Sequence, residues 1–180
     1  MALADDRDLI RRFKDGDPSA FEGLVRRYRD RVYNLCRYII NDTHDAQDAA
    51  QDVFIKAYRG LATYRSKAGL YTWLYRIAVN TCLDYNKRSR PETLEDETFL
   101  ENVASHDPSP EELCQSKETG RIIESALRKL PDKLRAAIVL KEIEALSYEE
   151  IAGALDTSVG TVKSRISRAR DELRRLLNKS

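Results

Sequence analysis

The sequence of 180 residues is poor in the residues that build disulfides or metal sites. Its three cysteines (Cys36, Cys82 and Cys114) lie far apart and form no C-x-x-C pair, and its two histidines (His44 and His106) are isolated. Disulfide frameworks and zinc sites need paired or closely spaced ligands. We therefore expect no disulfide and no metal site, and cysteines that remain reduced thiols in the cytoplasm.

Long apolar runs and known catalytic motifs are also absent. No run of about 18 apolar residues occurs, so we expect no membrane-spanning helix. The N-terminal stretch MALADDRDLIRRF is charged throughout, unlike a secretory signal. The motifs G-x-x-x-x-G-K-[ST], G-x-G-x-x-G, H-E-x-x-H and G-x-S-x-G are missing. We therefore expect no enzymatic activity and no cofactor.

The formal net charge of +1 conceals a strong asymmetry along the chain. Residues 1–90 carry 17 Lys or Arg and 12 Asp or Glu, a balance of +5, and residues 115–180 carry 14 and 10, a balance of +4. Residues 91–114 between them carry eight acidic residues and no Lys or Arg. Two basic segments joined by an acidic one indicate that both ends can bind a polyanion.

Apolar residues recur three and four positions apart along most of the chain, which predicts an all-α fold. Helices are expected over 5–15, from Asp17 to about Asn41, from Thr43 or Asp45 to Gly60, and over 70–88, with a loop at 61–69. Further helices are expected over 111–129 and after Pro131. We expect Asp17 to cap the second helix, with Pro18 at its first position.

Residues 89–114 lack helical periodicity and hold three of the five prolines, a composition typical of a flexible linker. We therefore expect two small helical domains, over residues 1–90 and 115–180, joined by a flexible acidic linker over 91–114. The second domain, with about 65 residues, would be near the lower size limit for folding alone.

Residues 146–177 have the pattern of a helix-turn-helix. Ser147 and Glu150 have capping-box spacing, and Ser158 is a suitable N-cap for a second helix. That helix has one continuous apolar face and an opposite face of Lys, Arg, Ser and Thr, an arrangement typical of a recognition helix. The alternative is an amphipathic hairpin with a solvated charged face. The second helix has no acidic residue before Asp171, although its dipole would favour acids in the first turn, and this argues against the alternative.

Residues 45–90 carry two further patterns. Asp45, Asp48 and Asp52 form an acidic stripe along one face of the third helix, with Gln51 beside them. The stripe is either a solvated face, which its spacing alone favours, or a docking face for a basic partner.

Downstream, aromatic and basic residues alternate from Tyr64 to Arg76, which is how proteins hold single-stranded nucleic acid. We expect Trp73 to be a core residue because it is in phase with Leu74 and Ile77, and we expect Tyr64 and Tyr71 to be exposed. The spacing leaves Asn80 open as a core amide or a base reader.

Three stretches, DAQDAAQDVFIKAYRGL, YTWLYRIAVNTCLDY with its basic tail, and LSYEEIAGALDTSVGTVKSRISRARDEL, resemble the extracytoplasmic-function (ECF, group IV) class of bacterial sigma factors. The resemblance implies a protein that binds core RNA polymerase and directs it to promoters with minus-ten and minus-thirty-five elements. The implied partners are core polymerase, promoter DNA as duplex and as melted non-template strand, and an anti-sigma factor. The alternative is a stand-alone dimeric helix-turn-helix regulator, which would leave the pattern at 61–90 unexplained.

The resemblance also implies roles for individual residues. Docking on core polymerase falls to Asp48, Gln51 and Asp52, with Phe54 nearby. Minus-ten recognition falls to Tyr64, Ser66, Tyr71 and Asn80 for the bases, and to Arg76, Lys87, Arg88 and Arg90 for the phosphates. Minus-thirty-five recognition falls to Lys163, Ser164, Ser167 and Arg168 for the bases, and to Thr161 and Arg165 for the phosphates.

Overall fold

The computed structural model describes residues 5–65, 69–89 and 115–178, except for the side chains of 115–119. This part of the chain contains eight α-helices and no strand, which confirms the all-α prediction. The predicted linker over 91–114 lies outside the described residues. The helices are α1 (Asp6–Lys14), α2 (Ser19–Ile39), α3 (Thr43–Leu61), α4 (Leu70–Arg88), α5 (Gln115–Arg128), α6 (Asp132–Glu142), α7 (Tyr148–Ala154) and α8 (Val159–Leu177).

Local sequence accounts for where the first helices begin and end. Gly16 follows α1 with a φ of 97°, a conformation that favours glycine. The expected start of α2 was one residue early: Pro18 precedes the first helical residue, and the Asp17 carboxylate accepts hydrogen bonds from the amide (3.0 Å) and hydroxyl (2.6 Å) of Ser19. Helix α3 is capped by Asp42, whose carboxylate accepts the amide of His44 at 2.7 Å.

The N-terminal half is built around α2, α3 and α4, which pack against one another, with α1 lying along α2. Its core residues are on the inward face of each helix: Val32, Leu35 and Cys36 on α2, Ala49 and Val53 on α3, and Ala78 and Cys82 on α4. In the C-terminal half, α6 and α7 pack against α8, and α5 packs on α8 as well. This arrangement places the acidic stripe and α4 on one half and the helix-turn-helix on the other.

The two halves also pack on each other, which the sequence did not predict. Helix α7 lies on α4, while α5 and α6 lie on α2, and the buried apolar side chains of both halves form one cluster. The C-terminal half therefore does not depend on its own small core alone. On α5, Ala126 and Leu127 are buried, whereas Ile122 and Ile123 are 45% and 44% exposed.

A buried arginine joins the two halves. Arg135, on α6, is 2% exposed, and its guanidinium donates to the backbone oxygen of Ile39 (2.7 Å) and to Oδ1 of Asn41 (2.9 Å), both at the end of α2. It also donates to the backbone oxygen of Leu130 at 2.9 Å. Hydrogen bonds offset the cost of burying a charge, and these contacts fix α6 against α2.

Candidate nucleic-acid interface

Helix α8 has one buried and one exposed face, as its sequence pattern predicted. Val162, Ile166 and Ala169 are fully buried against the rest of the C-terminal half. Because side chains three and four residues apart share a helix face, the opposite face points to solvent. It carries the four exposed residues predicted to read bases, Lys163, Ser164, Ser167 and Arg168. Thr161 and Arg165, predicted to contact phosphates, are half-buried.

The start of α8 is held by hydroxyl groups. The Ser158 side chain accepts the amide of Thr161 at 3.1 Å, and the two hydroxyls lie 2.9 Å apart. The Ser164 hydroxyl donates to the backbone oxygen of Thr161 at 2.9 Å. The first turn of α8 contains no acidic residue. The positive end of the helix dipole is therefore not neutralised there, and this end of α8 favours an anion.

Basic side chains beside α8 surround Tyr148, the first residue of α7. The ammonium groups of Lys141 and Lys163 lie 4.9 and 5.7 Å from the centre of its ring, within cation–π range. Arg170 instead pairs with Glu142 at 2.7 Å, and this hydrogen bond raises the pKa of the guanidinium. Lys163 is thus aligned by an aromatic ring, while Arg170 is tied to α6.

Helix α4 contacts three carboxylates of the C-terminal half. The hydroxyl of Tyr71 donates to Glu150, and that of the buried Tyr75 donates to Glu144. The guanidinium of Arg76 lies 3.2 Å from Asp156. Burial, and then the bond to Glu144, raises the pKa of Tyr75, so this phenol stays a donor at neutral pH.

The expectation that Tyr64 and Tyr71 are exposed was wrong, because both are half-buried. Tyr64 packs on Trp73, with ring centres 5.1 Å apart, and its backbone oxygen accepts a hydrogen bond from Lys14 at 2.6 Å. Trp73 is half-buried and packs against the core as expected; its ring lies over Gly60, where an added Cβ would come within 3.0 Å. Tyr71 is covered by α7, a contact between halves that periodicity cannot reveal.

The other predicted minus-ten residues that the structure describes on α4 are exposed. Asn80 is exposed, so it is not a core amide. Arg76, Asn80 and Lys87 follow one another at steps of four and seven, which places them on one outer face, and Arg88 is exposed nearby. Ser66 and Arg90 lie outside the described residues.

The acidic stripe faces solvent along α3. Asp48 and Gln51 are exposed, whereas Asp52 is half-buried and its Oδ2 accepts the Tyr85 hydroxyl at 2.9 Å. Burial, and then this bond, raises the pKa of Tyr85 to about 12. Phe54 is half-buried on the flank of α3 that faces Phe21 and Trp73, away from the stripe.

Sequence reasoning missed Ile55, which is 48% exposed next to the stripe. Its signal was present, since it is out of phase with the buried Val53 and Ala57. An exposed isoleucine beside carboxylates adds apolar area to a surface that otherwise offers charge.

Other kinds of site find no support in the described residues. Within 5–65, 69–89 and 115–178, no three His, Cys, Asp or Glu side chains are grouped so that they could hold a metal ion. In the same residues no helix has both the length and the apolar character needed to cross a bilayer. Cys36 and Cys82 are buried free thiols, and Cys114 lies outside the described part.

Comparison with known families matches both halves of the chain. Residues 24–92 match the family described as Sigma-70 region 2, and residues 120–173 match Sigma-70, region 4. The RNA polymerase sigma-H factor of Pseudomonas aeruginosa is 39% identical over 180 residues, covering 96% of this chain and 93% of the relative. The ECF RNA polymerase sigma-E factor of Escherichia coli is 44% identical over 177 residues, covering 93% and 92%.

Two solved structures share the fold. CnrH, solved in complex with the cytosolic domain of CnrY, superposes with a TM-score of 0.73 at 30% identity, covering 97% of this chain and 98% of CnrH. The sigma factor RpoE of Bartonella quintana, solved with the anti-sigma factor NepR, gives a TM-score of 0.67 at 28% identity, covering 88% and 96%.

Proposed function

We propose, from the premise that this chain belongs to the extracytoplasmic-function sigma factors, that its α3 stripe docks on core RNA polymerase while α4 and α8 hold the two promoter elements. Membership makes the protein a transcription initiation factor that binds core polymerase and promoter DNA. The match to region 2 as well as region 4 favours this function over a stand-alone helix-turn-helix regulator. The domain bounds 1–90 and 115–180 and the residue roles below are our proposals.

The observation that carries the proposal is the exposed face of α8. Lys163, Ser164, Ser167 and Arg168 lie together on a convex helix surface, behind a capped N-terminus without acids. A helix of this shape fits the major groove, where long basic and short hydroxyl side chains reach base edges and phosphates. We assign base reading in the minus-thirty-five element to these four residues and phosphate contacts to Thr161 and Arg165.

The outer face of α4 is suited to the minus-ten element. Arg76, Asn80 and Lys87 are aligned there, so once Arg76 is released from Asp156 a single strand running along α4 would meet two cations and one amide. Capture of a base then falls to Tyr64, Ser66, Tyr71 or Asn80, by stacking or hydrogen bonding. Stacking contributes about 1–3 kcal/mol per base, which helps to offset the unstacking that melting requires.

The closed packing of the two halves is incompatible with simultaneous contact to both elements. The names of the elements place them about 25 base pairs apart, or about 85 Å along B-DNA. Tyr71 on α4 and Glu150 on α7 are instead in hydrogen-bond contact. The protein therefore opens when it binds polymerase. Two weak contacts then add through effective concentration.

Docking on polymerase is assigned to Asp48, Gln51 and Asp52, with Ile55 as an apolar contact beside them. Carboxylates on an exposed face suit a basic partner surface and fix its orientation. Phe54, half-buried on the flank, supports the helix rather than forming the centre of the contact.

An anti-sigma factor is proposed as a further partner. One structural neighbour was solved with an anti-sigma factor and the other with the cytosolic domain of a second protein. We also propose that the protein acts in the cytoplasm, where polymerase is found, and has no enzymatic activity of its own.

The proposal is tested by adding the purified chain to core polymerase and a promoter and mapping transcript starts. We expect start-specific transcription that depends on the chain. Replacing Asp52 with Arg should lower the affinity for core polymerase, and unchanged affinity would remove the docking assignment. Failure to bind core polymerase, together with tight binding of a palindrome by a dimer, would favour the regulator instead.

A further inference from the structure

Three side-chain hydrogen bonds join α3 to the C-terminal half of α4 and to the residue that follows it, along one edge of the acidic stripe. They pair Asp45 with Ser89 (3.1 Å), Asp52 with Tyr85 (2.9 Å) and Lys56 with Thr81 (2.9 Å). The partners run in opposite directions along the two helices, as expected for an antiparallel pair. The proposed docking surface on α3 is thus linked to the helix that carries the proposed minus-ten contacts.

The bond between Tyr85 and Asp52 differs from the other two, because its acceptor belongs to the proposed docking surface. Tyr85 is half-buried in the seam between the helices, and its hydroxyl reaches Oδ2 of Asp52, a carboxylate of the proposed docking surface. The guanidinium of Arg88 lies 5.7 Å from the centre of the same ring. One side chain therefore contacts a residue proposed for polymerase and a residue proposed for DNA.

From this geometry we propose that Tyr85 is a positioning residue for polymerase docking, whose hydroxyl fixes the orientation of the Asp52 carboxylate before the partner arrives. A half-buried aspartate would otherwise choose among several rotamers, and binding would have to immobilise it. The bond occupies one carboxylate oxygen and leaves Oδ1 to accept from a basic partner. The raised pKa of Tyr85, about 12, keeps the phenol protonated throughout the pH range of transcription assays.

This inference rests on the proposed role of Asp52, and the experiment separates the two. The affinity of the full chain for core polymerase is measured for the wild type, Tyr85→Phe, Asp52→Asn and the double variant. Tyr85→Phe keeps the ring and its contact with Arg88 but removes the hydroxyl. We expect it to weaken binding about three- to tenfold, the effect of having to immobilise one side chain on binding.

The double variant distinguishes positioning from general stabilisation. If Tyr85 acts by orienting the charge of Asp52, Tyr85→Phe has no further effect in the Asp52→Asn background, and the two changes are non-additive. The amide oxygen of asparagine can still accept the hydroxyl, but no charge is left to orient. A matched control is Tyr33→Phe on α2, which also removes one tyrosine hydroxyl and should leave the affinity unchanged.

Three results would overturn the inference. The first is an equal loss of affinity from Tyr85→Phe in the wild-type and Asp52→Asn backgrounds, which would mean that the hydroxyl only stabilises the fold. The second is normal affinity for Tyr85→Phe alongside weak binding by Asp52→Asn, which would refute the role of Tyr85 and keep the docking surface. The third is normal affinity for both variants, which would remove Asp52 from the docking surface and Tyr85 with it.

Discussion

The two helices proposed to contact DNA differ in whether their predicted contact residues are exposed or covered by the rest of the protein. On α8, the residues predicted to read bases face solvent. On α4, Tyr71 and Arg76 are bound to Glu150 and Asp156 of the other half. A carboxylate offers these donors the same kind of acceptor as a phosphate oxygen. The closed protein therefore exposes its proposed duplex-reading surface but covers part of its proposed single-strand surface with its own acids.

The contrast has a physical origin in when each surface is needed. Duplex DNA is available before melting, whereas the single strand that α4 would hold is exposed only after the promoter opens. A tyrosine and an arginine left in solvent would also attract any nucleic acid without regard to sequence. Arg76 and Asp156 pair at the exposed surface, where an ion pair contributes little free energy, so polymerase can release this contact at little cost.

The largest effect is expected from locking α4 to α7. A Cβ built on Gly153 lies 3.4 Å from Cγ2 of Thr72, so cysteines at both positions fall within disulfide reach. We expect oxidised Thr72→Cys/Gly153→Cys, in a Cys114→Ser background, to lose nearly all promoter-specific transcription, because the halves cannot separate. Reductant should restore it, which makes the reduced protein its own control. Normal transcription by the cross-linked protein would contradict the proposed opening.

A smaller effect is expected from a substitution on the exposed face of α8. Arg168→Ala should lower transcription from promoters that need the upstream element by about tenfold, since one base-edge contact contributes about 1–3 kcal/mol. Affinity for core polymerase should not change. Arg175→Ala is the control, because it removes an equal charge from the distal end of α8, where Arg175 pairs with Glu172. Equal losses for both variants would indicate a general charge effect.

A gain of function is expected when the two acids that contact α4 are neutralised. Glu150→Gln with Asp156→Asn should raise the affinity of the isolated chain for a single-stranded minus-ten oligonucleotide by about two- to fivefold, the scale of the exposed Arg76–Asp156 ion pair. Glutamine preserves the capping box with Ser147, and asparagine tolerates the φ of 49° at position 156. Glu149→Gln, on the exposed side of α7, is the matched control. An unchanged or weaker affinity would show that these acids do not cover the strand surface.

The smallest functional effect is expected at the start of α8. Ser158→Ala removes the cap on Thr161 and should cost about 1 kcal/mol of stability, measured by thermal unfolding. Ser158→Asp should be as stable as the wild type, because aspartate is also a good N-cap. It should bind duplex DNA more weakly than the wild type, because the added charge repels phosphate. If Ser158→Asp bound duplex as well as wild type, the N-terminus of α8 would not approach the DNA backbone.

Local patterns accounted for most of the helices and for the exposed polar face of α8. The bounds of α4 agree with the prediction, and the Ser147 capping box and the Ser158 cap are formed as their spacing indicated. These features depend on residues three or four positions apart, which periodicity reports directly. The resemblance to sigma factors, confirmed by the family matches, came from the same local stretches.

Contacts between distant segments were missed because no local spacing encodes them. Tyr71 was expected to be exposed, yet its partner Glu150 is 79 residues away. Arg135 gave no signal as a buried residue, since its acceptors at the end of α2 become neighbours only when the halves pack. Asn80 remained open for the same reason, because its exposure depends on which side of α4 the other helices cover.

The sequence alone determined the helical class, the exposed polar face of α8 and the family, because each depends on the order of residues within short stretches. Tertiary structure alone decided that α7 closes over α4 and that Tyr85 bridges Asp52 and Arg88. Those features depend on burial and on the relative placement of helices far apart in the chain. Their free energy comes from surfaces that exist only after the helices have packed.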